Sequence, residues 1–150
     1  MSNKQLKLKI ITPEKLILEE IVDQVSLPTT KGEITVLADH IPLITDLTSG
    51  DIVALVNGEY VPMAVVGGFM EVKKNEENLT EVAVLADFAE HVGELSEEKI
   101  EEAKKKAEEI KSMIEKNKDH VDFEHFESEL ERSLTRVKIA DKWRTRKYRK

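Results

Sequence analysis

Residues 51–66, DIVALVNGEYVPMAVV, place the dipeptide Asn57-Gly58 between two runs of β-branched and small apolar residues. Asparagine and glycine both tolerate positive φ, which a type I′ turn requires at its two central positions. The stretch therefore predicts two antiparallel strands, over residues 52–56 and 60–66, joined by a tight turn. This β-hairpin indicates that the surrounding chain also forms β structure.

Short apolar runs of the same kind lie on both sides of this hairpin. Residues 5–11, for example, alternate apolar and polar side chains with the period of a half-buried strand. The predicted strands cover residues 5–11, 16–18, 22–27, 34–37, 52–56, 60–66, 69–73 and 79–85. The predicted turns cover residues 12–13, 28–32, 49–51, 57–58, 67–68 and 75–78. Many short strands at this spacing predict an antiparallel β-sandwich or barrel.

The apolar period changes after Gly93 to that of amphipathic helices. A first stripe has apolar residues three or four apart: Ile100, Ala103, Ala107, Ile110 and Ile114. Ser96 is the predicted N-cap of this helix, and Asp122 is the predicted N-cap of a second one. The stripe of the second helix consists of Phe123, Phe126, Leu130, Leu134 and Val137.

These patterns predict an α+β protein with two domains. An antiparallel β-sandwich is expected over residues 1–93, followed by an antiparallel two-helix hairpin over residues 94–150. Two short helices with narrow apolar stripes bury little surface by themselves. We therefore expect the helical hairpin to rest on the sandwich or on a partner, and to move between surfaces at small cost.

The charge is distributed unevenly along the chain. Its net value is −7, yet residues 132–150 carry nine basic residues and one acid. A basic tail on an acidic body indicates an acidic partner surface, a bound anion or simple solvation. The tail also interleaves cations with Trp143 and Tyr148, which suits RNA, but the acidic body would repel a polyanion. We therefore expect no nucleic acid partner.

No catalytic or metal-binding constellation is recognisable in the sequence. The chain has no cysteine, and His120 and His125 lack the spacing of four that zinc-binding helices use. Neither a phosphate-binding glycine loop nor a serine-triad motif is present. His40 is expected to be a loop histidine bonded to backbone or a partner contact. The sequence predicts a non-catalytic protein without a required cofactor.

Four ordered blocks of sequence resemble the epsilon subunits of bacterial F-type ATP synthases. They are GEITVLADHIPL (32–43), GGFMEV (67–72) followed by VLAD (84–87), EAKKKAEE (102–109) and LERSLTRV (130–137). The resemblance implies a rotor subunit at the foot of the central stalk. In such a complex an ion gradient, commonly of protons, drives rotation and ATP synthesis. The implied location is peripheral, on the cytoplasmic face of the bacterial plasma membrane.

The resemblance also implies partners and regulation. Glu33, in the loop before Ile34, matches a position used against the c-ring, and His40 matches a position near the gamma subunit. The helical hairpin of the family is regulatory: extended into the alpha/beta catalytic head, it inhibits ATP hydrolysis, and folded, it packs on the sandwich.

In some members ATP binds the folded state, which makes regulatory ATP the one ligand to consider. Arg132 and Arg136 match arginines near the phosphates, and with Lys99 at the start of the first helix they are the candidate nucleotide-binding residues. Ser96 and Lys99, however, replace the Asp and Arg that nucleotide-binding members carry, and lysine lacks the planar fork of arginine. The alternative function is a free-standing ATP-binding sensor or adaptor, which would not copurify with a gamma subunit.

Overall fold

The computed structural model describes residues 4–116 and 123–149, apart from the side chain of Phe123. Ten strands come first, a 3₁₀ turn at Val92–Glu94 follows, and two helices come last. The strands are β1 Leu6–Ile11, β2 Leu16–Val22, β3 Gln24–Thr29, β4 Gly32–Leu37, β5 Leu43–Asp46, β6 Gly50–Val56, β7 Glu59–Val66, β8 Phe69–Lys74, β9 Thr80–Leu85 and β10 Phe88–His91. The helices are α1 Glu97–Lys116 and α2 Phe123–Trp143.

The strands form two five-stranded sheets that share one apolar core. The first sheet has the order β2-β1-β9-β8-β5, and the second has the order β10-β7-β6-β3-β4. Neighbouring strands are antiparallel except β1 and β9, which are parallel and pair Leu8 with Val82. The predicted α+β fold, a β-sandwich followed by two helices, is confirmed, with that parallel pair as its one departure from antiparallel pairing. The predicted domain division at residue 93 falls within the 3₁₀ turn.

Strand β7 is buried on both faces, unlike a strand with one face in water. Six consecutive residues, 61–66, are buried. Val61, Met63 and Val65 belong to the core between the sheets, whereas Ala64 faces outward and packs against Ile139 and Trp143 of α2. The helix therefore covers the outer face of the second sheet at β7, which explains the nearly continuous apolar sequence there.

The Asn57-Gly58 turn adopts the predicted backbone, and two further glycines connect β7 to β8. Asn57 and Gly58 have φ of 50° and 81°, and Val56 pairs with Glu59 across the turn, as a two-residue hairpin requires. Gly67 and Gly68 have φ of 60° and 104°. A Cβ on Gly68 would lie 2.1 Å from the carbonyl oxygen of Leu85, so this position excludes any side chain.

The sequence-based strand assignment was wrong at several places. It missed β5 and β10, which are four-residue strands at the outer edges of the two sheets. The run 22–27 is divided at Asp23 between β2 and β3, and Gly50 begins β6 although a turn was predicted. Pro28 lies inside β3, in the part of the strand that extends beyond its pairing with β6. Because proline has no N–H to donate, it is tolerated there without loss of a hydrogen bond between β3 and β6.

Helix α1 begins and packs as predicted. The Ser96 hydroxyl accepts a hydrogen bond of 3.2 Å from the Lys99 N–H, which satisfies one of the free donors of the first turn. Four residues of the predicted stripe are buried: Ile100, Ala103, Ala107 and Ile110. The fifth, Ile114, is partly buried. The Asp122 N-cap prediction for α2 lies outside the described residues.

Helix α2 contacts two surfaces, and the predicted single stripe describes only part of this arrangement. Phe126, Leu130 and Val137 are partly buried, but Leu134 is 42% exposed. The row Thr135, Ile139 and Trp143 is buried instead, and its last two members pack on the sandwich. α2 lies against both α1 and the second sheet, so its buried surface is wider than one stripe. The prediction that the helical hairpin rests on the sandwich or on a partner is confirmed.

Replacement of Gly68 by alanine should destabilise the sandwich strongly. We expect a loss of more than about 2 kcal/mol in the free energy of unfolding, because the strained φ and the contact with Leu85 add up. Gly58→Ala is the matched control: its φ is also positive, but a Cβ there meets nothing within 4 Å, so only about 1 kcal/mol should be lost. Denaturant unfolding measures both, and equal losses would contradict the steric argument.

Candidate functional site

Three basic side chains converge where the helical hairpin meets β10. The Nε of Arg136 donates a 2.8 Å hydrogen bond to Oε2 of Glu90, and the Nζ of Lys99 lies 3.6 Å from Oε1 of the same carboxylate. Glu90 is on the sandwich, Lys99 is on α1 and Arg136 is on α2, so one carboxylate joins three elements. The Glu90 side chain is only 12% exposed, and its ion pairs are therefore less screened than surface pairs.

Two arginines of α2 also lie over one aromatic ring. The Cζ atoms of Arg132 and Arg136 are 5.4 Å and 4.9 Å from the centre of the Phe88 ring, within the range of cation–π attraction. They occupy one wall of a cleft of about 430 Å³. The cleft is also lined by Leu16 and Ile17 at the start of β2 and by three further acids, Glu14, Asp87 and Glu94. We call Lys99, Arg132 and Arg136, together with Glu90 and Phe88, the cation cluster.

The cation cluster suits an anion better than a metal ion or a reacting carbonyl. Lys99 and Arg136 both pair with the Glu90 carboxylate, and Arg132 lies beside Arg136 over Phe88, so three cations gather at the edge of an open cleft. Guanidinium groups recognise phosphate and carboxylate through paired hydrogen bonds, whereas lysine acts as a point charge. The geometry brings together Lys99, Arg132 and Arg136, the three residues that the family resemblance assigned to a nucleotide. Sequence reasoning missed the roles of Phe88 and Glu90, because β10 was not predicted as a strand.

Comparison with known proteins gives a consistent family. A sequence model described as "ATP synthase, Delta/Epsilon chain, beta-sandwich domain" matches residues 5–92. The ATP synthase epsilon chain of Endomicrobium trichonymphae is 37% identical over 134 residues, which are 89% of this chain and 91% of that protein. The chain belongs to the ATP synthase epsilon family.

A second relative agrees with this membership, and a solved structure shows a similar fold. The ATP synthase epsilon chain of Herpetosiphon aurantiacus is 35% identical over 94% of this chain and 98% of its own length. A chain in the cryo-EM structure of the Euglena gracilis mitochondrial ATP synthase (OSCP/F1/c-ring) has a similar fold, with a TM-score of 0.63 at 23% identity. The alignment covers 91% of this chain and 81% of that one.

The structure places Glu33 and His40 at opposite ends of β4. Glu33 is exposed and belongs to β4 itself, where it pairs with Pro28, rather than to a loop as predicted. His40 lies in the loop after β4, and its Nδ1 is 2.7 Å from the carbonyl oxygen of Ile41. Contact with the backbone is one of the two roles predicted for His40. The two residues do not form one site.

The loop that carries His40 is held by Asp39. Asp39 has a positive φ of 68°, and its N–H donates a 2.7 Å hydrogen bond to the hydroxyl of Thr80. Its carboxylate pairs with the amines of Lys4, at 2.7 Å, and Lys74. Hydrogen bonds from these amines lower the pKa of Asp39 from its ordinary 3.8 to about 2.

Sequence reasoning missed an apolar row on the outer face of the first sheet. The side chains of Leu16, Leu85 and Phe69 are 44–49% exposed. The strand register joins them through Ile11, which pairs with both Leu16 and Leu85, while Leu85 pairs with Phe69. The signal in the sequence was the occurrence of adjacent apolar residues such as Ile10-Ile11 and Val84-Leu85, because neighbours in a strand face opposite sides.

Neither helix, over the residues described, is long and apolar enough to cross a membrane.

Loss of the Asp39 carboxylate should lower the free energy of unfolding at neutral pH and have a much smaller effect in acid. Because the folded pKa is lowered, its contribution to stability is present above about pH 4 and is lost as pH falls through about 2. The difference in unfolding free energy between wild type and Asp39→Asn should therefore shrink from pH 7 to pH 2. Denaturant unfolding at several pH values measures it.

A background that lacks both amines supplies the control for this prediction. In Lys4→Met/Lys74→Met, the Asp39→Asn change should give a difference that is nearly independent of pH. A difference that keeps its size to pH 2 in the wild-type background would contradict the role of the two lysines.

Proposed function

We propose that this chain acts as a non-catalytic, regulatory subunit of the central stalk of a rotary ATP synthase, coupling ion-driven rotation to ATP synthesis. Its family membership carries this proposal, since the relatives are named as ATP synthase epsilon chains over nearly their whole length. The subunit is peripheral, on the cytoplasmic face of the membrane. Its partners are the gamma subunit, the c-ring and, for the helical hairpin, the alpha/beta catalytic head.

Three surface features suit the rotor partners. The apolar row of Leu16, Leu85 and Phe69 would be buried against the gamma subunit. Removal of this apolar surface from water would favour binding. Glu33, exposed on β4, is available for the polar loops of the c-ring, and the loop with His40 for the gamma subunit. RNA is a poor partner, because tail cations already pair with carboxylates of this chain, as Lys142 does with Asp51.

Regulation in this proposal depends on release of the helical hairpin from the sandwich. Its apolar contact with the sandwich centres on Ile139 and Trp143, and polar pairs such as Arg136 with Glu90 supply the rest. Ser49 also donates a hydrogen bond to Glu131 of α2. Because this contact involves few apolar residues, the helical hairpin can separate from the sandwich while the core between the two sheets stays intact. The released helical hairpin then inhibits ATP hydrolysis in the catalytic head.

A crosslink between the sandwich and α2 should prevent inhibition. Ser49→Cys/Glu131→Cys introduces the only two thiols of this chain, which a short, reducible bifunctional thiol reagent can join. In the assembled complex, the linked form should hydrolyse ATP severalfold faster than the unlinked form, and as fast as a complex lacking residues 94–150. Reduction of the linker should restore the original rate.

The single variant Glu131→Cys, treated with the same reagent, is the control and should show no change. Hydrolysis that is the same in linked, unlinked and truncated complexes would mean that the helical hairpin does not inhibit.

We further propose that ATP is a regulatory ligand of the folded state and binds at the cation cluster. The supporting observation is that Lys99, Arg132 and Arg136 come from two helices and meet beside one cleft. This meeting exists only while the helical hairpin is folded, so a phosphate ligand bound there favours that state by linkage. Lys99 in place of arginine predicts weak affinity.

Isothermal titration calorimetry of the full-length chain with ATP tests this ligand. Arg132→Ala and Arg136→Ala should each weaken binding about tenfold, as expected for loss of one charge-assisted hydrogen bond. Lys104→Ala is the control, because Lys104 pairs with Glu101 along α1. Absence of heat at millimolar ATP, or an equal loss in the control, would contradict the site.

A further inference from the structure

We propose that the chain's last turns form a latch, in which Trp143 and the segment up to Arg149 bind to both sheets and hold the helical hairpin in its folded position. The latch is separate from the cation cluster and lies at the other end of the contact between α2 and the sandwich. Its consequence for ATP hydrolysis rests on the proposed inhibitory role of the helical hairpin. Its existence as a conformational device does not.

Arg149 ties the tail to both sheets at once. Its main-chain N–H donates a 2.8 Å hydrogen bond to the carbonyl oxygen of Tyr60 on β7, in the second sheet. Its guanidinium donates two hydrogen bonds, of 2.6 Å and 2.7 Å, to the two carboxylate oxygens of Glu20 on β2, in the first sheet. This is the paired geometry that makes arginine–carboxylate contacts specific as well as strong. The hydrogen bonds from Arg149 also lower the pKa of Glu20.

Trp143 is the buried end of the latch. Its side chain is 3% exposed, and its Nε1 donates a 2.8 Å hydrogen bond to Oδ2 of Asp51. The Nζ of Lys142 lies 2.9 Å from the same oxygen. An indole N–H buried without an acceptor would be costly, so Asp51 fixes where the ring can sit.

The tail turns back over Trp143 after α2 ends. The ring centres of Tyr60 and Tyr148 are 5.9 Å and 6.0 Å from that of Trp143. The guanidinium of Arg146 lies 5.6 Å from the indole centre. The tail therefore covers the tryptophan, and the bond between Arg149 and Glu20 closes the turn. Release of α2 requires these contacts to break, because Trp143 cannot leave its site beneath the tail while Arg149 stays bound.

The placement of the latch explains why it controls the whole helical hairpin. α2 makes the main contacts with β6, β7 and the 3₁₀ turn, while α1 lies mainly against α2. A bond that holds the end of α2 thus holds α1 as well. It also gives a role to the positive tail on an acidic body, since Lys142 and Arg149 meet Asp51 and Glu20 of the sandwich.

The chain contains a single tryptophan, so its indole N–H gives one NMR signal that reports directly on the latch. In the full-length chain, Arg149→Ala should make the exchange of this proton with solvent about threefold to tenfold faster, as expected for loss of a partly exposed paired ion contact. Glu20→Gln should have a similar effect. The double variant should exchange little faster than either single one, because the two residues share one interaction.

Arg144→Ala is the matched control. It removes the same charge from the same tail, but Arg144 pairs with Asp141 and Glu97 within the helical hairpin, at 3.1 Å and 4.0 Å. In Arg144→Ala, the indole proton of Trp143 should exchange with solvent at the wild-type rate. An unchanged rate of indole proton exchange in Arg149→Ala, or an equal acceleration in Arg144→Ala, would contradict the latch. This holds regardless of the ATP hydrolysis rate of the assembled complex.

Measurement of ATP hydrolysis separates this inference from the proposed function. In the assembled complex, Arg149→Ala should hydrolyse ATP more slowly than wild type, because more released helical hairpin means more inhibition. Faster indole exchange together with an unchanged hydrolysis rate would uphold the latch and contradict the inhibitory role.

Discussion

The contact between Trp143 and the outer face of β7 is the constraint on which the position of both helices depends. Ala64 presents only a methyl group there, which allows α2 to approach the sheet closely. Burial of Ile139 contributes roughly 1.5–3 kcal/mol, and the larger indole contributes at least as much. Asp51 then makes this burial specific, because it accepts the indole hydrogen bond and also pairs with Lys142. Apolar area supplies the attraction, while the carboxylate determines the register of the helix on the sheet.

Features set by a few neighbouring residues could be predicted from the sequence. The Asn57-Gly58 turn follows from the φ values that these residues tolerate, and Ser96 caps α1 through a hydroxyl three residues from its donor. The stripe of α1 was predictable because this helix has one buried face. Strands β5 and β10 were not, since a four-residue strand at a sheet edge shows little periodicity. Leu134 was assigned wrongly because α2 contacts two surfaces, and a sequence period indicates only one.

The candidate site was predictable in part, for the same reason. Lys99, Arg132 and Arg136 could be selected by resemblance, and the structure brings them together. Glu90 and Phe88, which organise those cations, could not be selected, because their role depends on the packing of β10 against two helices. The latch is still less visible in sequence: Glu20, Asp51 and Tyr60 lie on three different strands, and only the fold brings them to the tail. Long-range ion pairs leave no local pattern, whereas caps and turns do.

The cation cluster and the latch act on the same rigid body. Arg136 and Trp143 are seven residues apart on α2, which is about 10 Å along a helix, so neither contact can open widely without straining the other. No single ion pair holds the helix, since exposed pairs contribute about 0–1 kcal/mol and only those at Glu90 and Asp51 are well buried. In the proposed regulation, they together bias one equilibrium, between α2 packed on β7 and α2 released from it. If ATP binds at the cation cluster as proposed and holds Arg136, it therefore also favours the buried position of Trp143, although the two sites share no atom. The two contacts can be coupled without a chain of side chains through the core. It is enough that α2 is one rigid helix, which is packed on the sandwich at both points or at neither.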